Sequence, residues 1–274
     1  MDNYYFRFSL GQRLLHGLLI VSFLGLVATG MPLRYHQAAW AVWLSHTLGG
    51  FRVMGFFHRS FAVLLTVCFL IHLFHIAYRT WIRKERGILW GADSLVPQSR
   101  DLTEFFQHIK WFLGLGPRPA FDRFTYWEKF DYWAVFWGMA IIGASGYVLW
   151  FHTFFSKLLP GWIFNVALLI HGEEALLAAG FIFTIHFFNT HLRPEKFPMD
   201  LVIFTGRIGE EELRQERPAE YERLRREEAL PALRADPPPL WMKNLSRIMG
   251  AISVGIGLLL FFLILLAVLT GGGR

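Results

Sequence analysis

Histidines set inside long apolar runs have the clearest chemical capacity in this chain. Residues 168–200, LLIHGEEALLAAGFIFTIHFFNTHLRPEKFPMD, read as one apolar helix carrying His171 and His186, fifteen residues apart. At a rise of 1.5 Å per residue they stand about 22 Å apart along the axis and roughly 60° apart around it. Both imidazoles can therefore face one bundle interior, with Ala175, Ala178, Ala179 and Ile182 between them on that side. A lone imidazole in an apolar helix is more often a satisfied bundle residue than a ligand. A ligand at each of two levels, with small residues between, leaves room for two flat macrocycles stacked across a bilayer.

Other histidines supply partners at matching depths. His58 opens the second apolar run and His171 lies early in the fourth, so these two share an outer layer. His16 sits near the start of the first run, His72 precedes Arg79 by seven residues, and His186 precedes Arg193 by seven; these share the inner layer. Each layer holds at least two imidazoles, the axial pair that a six-coordinate electron-transfer heme requires. His58 and His72 are about 21 Å apart along one helix and roughly 40° off one face, so the inner partner of His186 is either His16 or His72. Arg59 beside the outer layer, and Arg79 and Arg193 a heptad beyond inner-layer histidines, suit heme propionates or snorkelling at the interface. His36, His46, His75, His108 and His152 read as structural or interfacial, and His191 as a hydrogen-bonding partner of a propionate or quinone. Glu173 and Glu174 follow His171. Carboxylates in an apolar zone are costly, and the role to weigh for them is proton handling in quinol chemistry.

The elements that position these residues are predicted helices, because a spanning segment must satisfy its own backbone. Five apolar runs reach the roughly 30 Å of a bilayer interior: residues 14–31, 54–81, 132–151, 162–190 and 248–270. Pro32 is expected to close the first, and Pro237, Pro238 and Pro239 to form a stiff hinge into the fifth. The first run is as long as a span and lacks a small-residue cleavage pattern, which predicts a retained helix rather than a signal peptide. Lys and Arg number nine from Arg79 to Lys129 and eleven from Arg193 to Arg247, against Lys157 alone in the third loop. The second and fourth loops are therefore expected in the cytoplasm, with the N-terminus inside and the C-terminus outside.

The expected fold is all-α, an integral membrane helical bundle with a four-helix heme-binding core over residues 1–200. Residues near 101–114, DLTEFFQHIKWFLG, are expected as an amphipathic helix on the cytoplasmic membrane face. Residues 201–240 are expected as a charged, solvated cytoplasmic arm, and residues 241–274 as a fifth transmembrane helix.

Composition supports this class. The 274-residue chain is 54% hydrophobic and 17% aromatic, too apolar for an ordinary soluble domain. Its net charge of +6 sorts into particular loops and does not indicate nucleic acid. The single cysteine, Cys68, lies in an apolar run, which excludes a disulfide framework and a cysteine metal site. With no CxxCH motif, any heme is held non-covalently.

Together these residues resemble the cytochrome b gamma subunit of respiratory formate dehydrogenase and the related membrane subunits of hydrogenases and thiosulfate reductases. The resemblance spans roughly residues 10–200. It rests on RLLHGLLIVSFLGLVATG around His16, GFFHRSFAVLL around His58, YWEKFDYWAVFW leading into the third run, and LLIH at His171 with His186 about four turns later. It implies two b hemes, the outer on His58 and His171 and the inner on His16 and His186. The sequence departs from that pattern at three points. His72 lies outside the four ligands, and its spacing from His58, with GYVLW at 146–150, is more like the cytochrome b of quinol:cytochrome c oxidoreductases. The fourth run spaces its histidines by fifteen rather than fourteen. The segment DRFTYWEK carries Thr125 and Trp127 where the family has an Asn and a Gly that help bind menaquinone.

The resemblance implies a multi-pass cytochrome b subunit of a respiratory complex in a bacterial cytoplasmic (inner) membrane. Electrons would pass through two heme b groups between the quinone (menaquinone) pool and an extracytoplasmic iron–sulfur or multiheme cytochrome c subunit. A quinone site is expected on the cytoplasmic side near His186 and His191. The competing readings are a heme-free, histidine-lined proton-coupled transporter and a purely structural membrane anchor.

Overall fold

The computed structural model describes residues 3–85 and 87–271. It is mostly helical. Five helices are long and apolar enough to cross a membrane: α1 (Leu10–Arg34), α3 (Phe51–Ile82), α5 (Tyr126–Trp150), α6 (Trp162–Leu192) and α9 (Leu240–Leu269). Between them lie α2 (Ala39–Thr47), α4 (Ser99–Phe112), α7 (Glu210–Glu216) and α8 (Pro218–Arg226). Pro32 does not close α1 but sits in its last turn. The helix continues to Arg34, and the Tyr35 N–H donates to the Met31 carbonyl at 2.8 Å.

The chain divides into two compact units. One is a helical bundle built from Leu14–Leu70, Phe136–Asp200 and the chain from Leu245 onward. Its core joins Val27 and Met31 of α1 to Ala179, Phe183 and Phe187 of α6 and to Leu260, Ile264 and Ala267 of α9. The spacing of the α9 residues is the i, i+4, i+7 stripe of a helix with one buried face. Gly257 lets that face approach, since a Cβ there would stand 2.6 Å from the Phe187 ring. The fifth span is therefore part of the bundle core rather than an appendage to four helices. Its other faces, with Ile256, Leu259, Phe262 and Leu266, are exposed, as a lipid-facing surface requires. Elsewhere in this unit, Thr66 Oγ1 of α3 and Tyr147 OH of α5 are hydrogen-bonded at 2.7 Å.

The second unit gathers the chain up to Arg13, Ile71–Val135 and Leu201–Asn244. It contains three short strands, β1 (Tyr4–Phe6), β2 (Arg207–Gly209) and β3 (Arg234–Ala235), in the order β2-β1-β3 and all antiparallel to β1. The all-α expectation is corrected to this extent. Tyr5 pairs with Ile208 and Arg234 and packs with Val202, Ile208 and Leu213 in a small core. Gly206, at φ +74°, turns the chain back toward β1, and its carbonyl accepts the Arg7 N–H at 2.9 Å.

Residues 201–240 are thus folded, and the solvated-arm expectation does not hold. Several of their charges are paired inside the unit. Arg7 and Glu220, with side chains only 5% and 2% exposed, are paired at 2.6 Å, and Arg123 reaches the same carboxylate at 3.2 Å. Arg217 meets Glu128 at 2.8 Å, and Arg223 meets Asp122 at 2.9 Å. Burial is the largest single influence and would raise the Asp122 carboxyl, but the Arg223 hydrogen bond, the Arg123 N–H and the charges of Arg223 and Arg100 together outweigh it and hold the carboxyl below its ordinary value. A mixed-charge run with few apolar residues looks solvated in sequence because its partners lie between 89 and 213 residues away.

Helix α4 turns its polar residues inward. Asp101, Glu104 and His108 are buried, with Lys129 Nζ donating to Asp101 at 2.7 Å. Leu102, Phe105, Phe106, Ile109 and Phe112 are exposed. This is the arrangement of a helix whose apolar face meets lipid.

Candidate functional site

In the bundle unit, four helices meet around one pair of imidazoles. His58 of α3 and His171 of α6 have ring centroids 6.2 Å apart and planes at 86°. Each ring is seated by a neighbouring helix. Thr29 Oγ1 of α1 lies 3.1 Å from His58 Nδ1, and a Cβ on Gly30 would stand 2.8 Å from His58 Cε1. The Ile142 carbonyl of α5 lies 3.0 Å from His171 Nδ1, and a Cβ on Gly146 would stand 2.9 Å from His171 Cε1. Ser145 Oγ is a further 3.4 Å neighbour of the same nitrogen. In both cases the group that fixes a ring acts on Nδ1, and a glycine admits the ring. This is how ligating histidines are generally oriented, with one nitrogen committed to the protein and the other presented to the metal.

Helix geometry is locally relaxed at these points. Residues Met139–Gly143 of α5, and Ile182–His186 and Phe188–Leu192 of α6, form π-helical turns. A π turn inserts one residue into a helix and is frequent at functional positions. The first loosens the carbonyl ladder where Ile142 accepts from His171. The second lies between His171 and His186, so their fifteen-residue spacing turns the helix about as far as fourteen regular residues would.

A second group lies deeper along the same helices. His16 of α1 has His186 and His191 of α6 as electrostatic neighbours. His16 precedes Thr29 by thirteen residues, which is about 20 Å along α1. His191 is buried, and beyond it Lys196 and Asp200 are paired at 3.1 Å.

The remaining sequence candidates fall as follows. His72 Nε2 is hydrogen-bonded to Tyr132 OH at 2.8 Å, and His75 is its electrostatic neighbour. Arg59 is exposed and lies over the Trp150 ring at 5.9 Å. Arg193 ends α6, its N–H donating to the Phe188 carbonyl at 3.0 Å. Arg79 pairs with Glu85 through a 2.7 Å hydrogen bond. Glu173 accepts from Arg34 at 2.8 Å, and Glu174 from Trp137 Nε1 at 3.3 Å. His108 is hydrogen-bonded to Tyr126 OH at 3.0 Å and stacks on Phe112 and Trp127. Its structural reading fits that setting.

Sequence reasoning did not single out Thr29 and Gly30. The available signal was Gly30, fourteen residues after His16 and about 40° off its helix face, whereas Thr29, thirteen residues on, lies about 140° around the helix from His16. The Ile142 carbonyl has no side-chain signal at all.

Two imidazoles on opposite sides of one metal, with metal–nitrogen bonds of about 2.0 Å and nitrogens about 1.2 Å from the ring centres, have centroids about 6.4 Å apart. The 6.2 Å between His58 and His171 is close to that figure. Among the described residues no three or more His, Cys, Asp or Glu are grouped to hold a bare ion. The fold and the five spans define a multi-pass helical membrane protein. No family model matches the chain, and no curated protein matches it either.

Proposed function

We propose that this protein is a diheme membrane cytochrome b that conducts electrons across the bilayer as a subunit of a respiratory complex. The observation that carries the reading is the His58–His171 pair, spaced for one iron, with each Nδ1 tied to a neighbouring helix and each ring seated on a glycine. Two imidazoles do not suffice for a bare ion, but a heme, which brings its own iron, would take His58 and His171 as its protein ligands. The second heme is assigned to His16 and His186, which are neighbours. His72 is the weaker candidate because its Nε2 faces the Tyr132 hydroxyl.

A bound heme supplies one-electron transfer; the chain supplies orientation and electrostatics. Thr29 and the Ile142 carbonyl set the ring orientation of His58 and His171. The apolar walls of the spans exclude water from both layers. Arg193, at the end of α6, is a candidate for an inner heme propionate. On this reading a quinone exchanges electrons near His186 and His191, and an extracytoplasmic iron–sulfur or multiheme subunit docks at the opposite face.

We place the N-terminus in the cytoplasm. The N-terminal arm, the second loop and the fourth loop are the segments that the Lys and Arg counts assign to one side. That they fold together in one unit supports this common placement. On this reading the membrane is a bacterial cytoplasmic (inner) membrane, as the resemblance implies.

The test is a pyridine hemochrome assay with a reduced-minus-oxidised spectrum on wild type, His16→Ala and His72→Ala. About two b hemes per chain are expected, falling to about one in His16→Ala and unchanged in His72→Ala. Loss only in His72→Ala moves the inner ligand to α3, and heme-free wild type ends the electron-transfer reading.

A further inference from the structure

Arginines at span ends in this chain are commonly held by carboxylates: Arg34 by Glu173, and Arg79 and Arg83 by Glu85. Arg52 and Arg59, both exposed, have no carboxylate partner among the described residues. They are seven residues apart at the start of α3, so they lie about 20° from one line along the helix and roughly 10 Å apart along its axis. The Arg59 guanidinium folds back over the preceding turn, where a Cβ on Gly55 would stand 4.0 Å from its Nη2. Both arginines thereby line one groove of about 360 Å³ with Val53 and Phe56. The positive end of the α3 dipole adds to the same field.

From Phe56, set between the two arginines in the chain, an apolar stripe runs on along the helix, interrupted by Ser60, whose hydroxyl is bonded back to the Phe56 carbonyl at 3.0 Å. Phe56 is 62% exposed, and Val63 and Val67, at seven and eleven residues further on, are 45% and 47% exposed. These three share one stripe of the helix, about 16 Å long, which is of the order of an acyl chain. Paired guanidiniums over an apolar track on a spanning helix match an amphiphile, not a free anion.

We propose that this groove is a binding site for an anionic phospholipid, with its phosphodiester between Arg52 and Arg59 and an acyl chain along Phe56, Val63 and Val67. The fork of a guanidinium suits phosphate oxygens, and the net negative headgroup answers two cations that no carboxylate among the described residues pairs with. The site does not depend on the heme reading, and it assigns Arg59 to a lipid phosphate instead of a heme propionate.

The test is native mass spectrometry of the full-length protein, delipidated in mild detergent and titrated with phosphatidylglycerol, phosphatidylcholine or inorganic phosphate. Wild type is expected to bind one phosphatidylglycerol in preference to phosphatidylcholine. At about fivefold per interfacial cation, Arg52→Gln/Arg59→Gln should lose roughly thirtyfold in affinity for phosphatidylglycerol. The charge-conserving Arg52→Lys/Arg59→Lys should keep most of it, which controls for folding. Equal phosphatidylglycerol binding by wild type and the Gln variant overturns the proposal. So does displacement of the lipid by inorganic phosphate at equal concentration, which would mark an anion site only. Loss of heme from Arg59→Gln with lipid binding intact would return Arg59 to a propionate.

Discussion

If the proposed diheme reading holds, replacing Gly146 with Ala should remove one heme and leave the other. The new Cβ would stand 2.9 Å from His171 Cε1 and 3.2 Å from its Nδ1. Non-bonded carbons rest at about 3.5–4.0 Å, so the ring must retreat from α5 by about 0.6 Å or more. That retreat stretches the 3.0 Å contact between Nδ1 and the Ile142 carbonyl toward about 3.6 Å, where it ceases to be a hydrogen bond. Metal–ligand distances tolerate only about 0.2 Å, so His171 and His58 would no longer match one iron. Gly30→Ala should act in the same way on His58, whose Cε1 would lie 2.8 Å from the new carbon.

The assay is heme per chain by pyridine hemochrome, joined to a potentiometric titration. Each variant should fall from about two hemes to about one, with one of two redox steps gone and the helical circular dichroism kept. Gly180→Ala is the control, because a Cβ there meets nothing within 4 Å although Gly180 lies between His171 and His186. Both alanine variants retaining two hemes at unchanged potentials would refute the argument that glycines seat the ligands.

Two further predictions concern the second unit. Burial pushes the Glu104 carboxyl up from 4.5 to about 7, against the opposing charges of Arg100 and Lys129. The native state therefore holds this proton more tightly than the unfolded chain, and its stabilisation is complete below pH 4.5 and lost as pH rises through 7. The Tm of wild type should fall relative to Glu104→Gln between pH 5 and pH 8; a constant difference between the two would contradict the burial argument. Glu220→Ala removes the carboxylate that the buried Arg7 guanidinium shares with Arg123. It should cost about 3–5 kcal/mol, measured by denaturant unfolding or protease resistance of this unit. Glu222→Ala, which removes an exposed pairing with Arg225, should be nearly neutral, and an equally small effect at Glu220 would show that its ion pairs do not hold the unit together.

The spans were legible because a bilayer imposes a length and an apolarity that no packing detail can override. The end residues were less so. Helix α1 runs through Pro32, and α5 begins at Tyr126 because its first turns are stabilised by Thr125 and Lys129 contacts rather than by apolarity. His58 and His171 could be placed in one layer by counting from span ends alone. Their seats could not, since the Ile142 contribution is a backbone carbonyl and Thr29 looks like any small polar residue in a span. The folded character of residues 201–240 was hidden for a related reason. Arg7, Asp122 and Glu128 are the partners of Glu220, Arg223 and Arg217, and no local pattern joins residues so far apart.

The roles of the spans in the proposed site also account for the fifth helix. α3 and α6 supply the outer imidazoles, while α1 and α5 supply their seats. α1 contributes twice, with Thr29 and Gly30 at one level and His16 at the other, and α6 contributes an imidazole at each level, His171 and His186. These two helices therefore have to keep one axial register, because a slip that satisfies one layer would spoil the other. The core that fixes this register joins Val27 and Met31 of α1 to Ala179, Phe183 and Phe187 of α6, and α9 closes it with Leu260, Ile264 and Ala267. Phe183 and Phe187 flank His186 in the chain and rest on the bare surface at Gly257. The fifth span thus bears on the proposed site without contributing an imidazole: it packs together the two helices on which both levels depend.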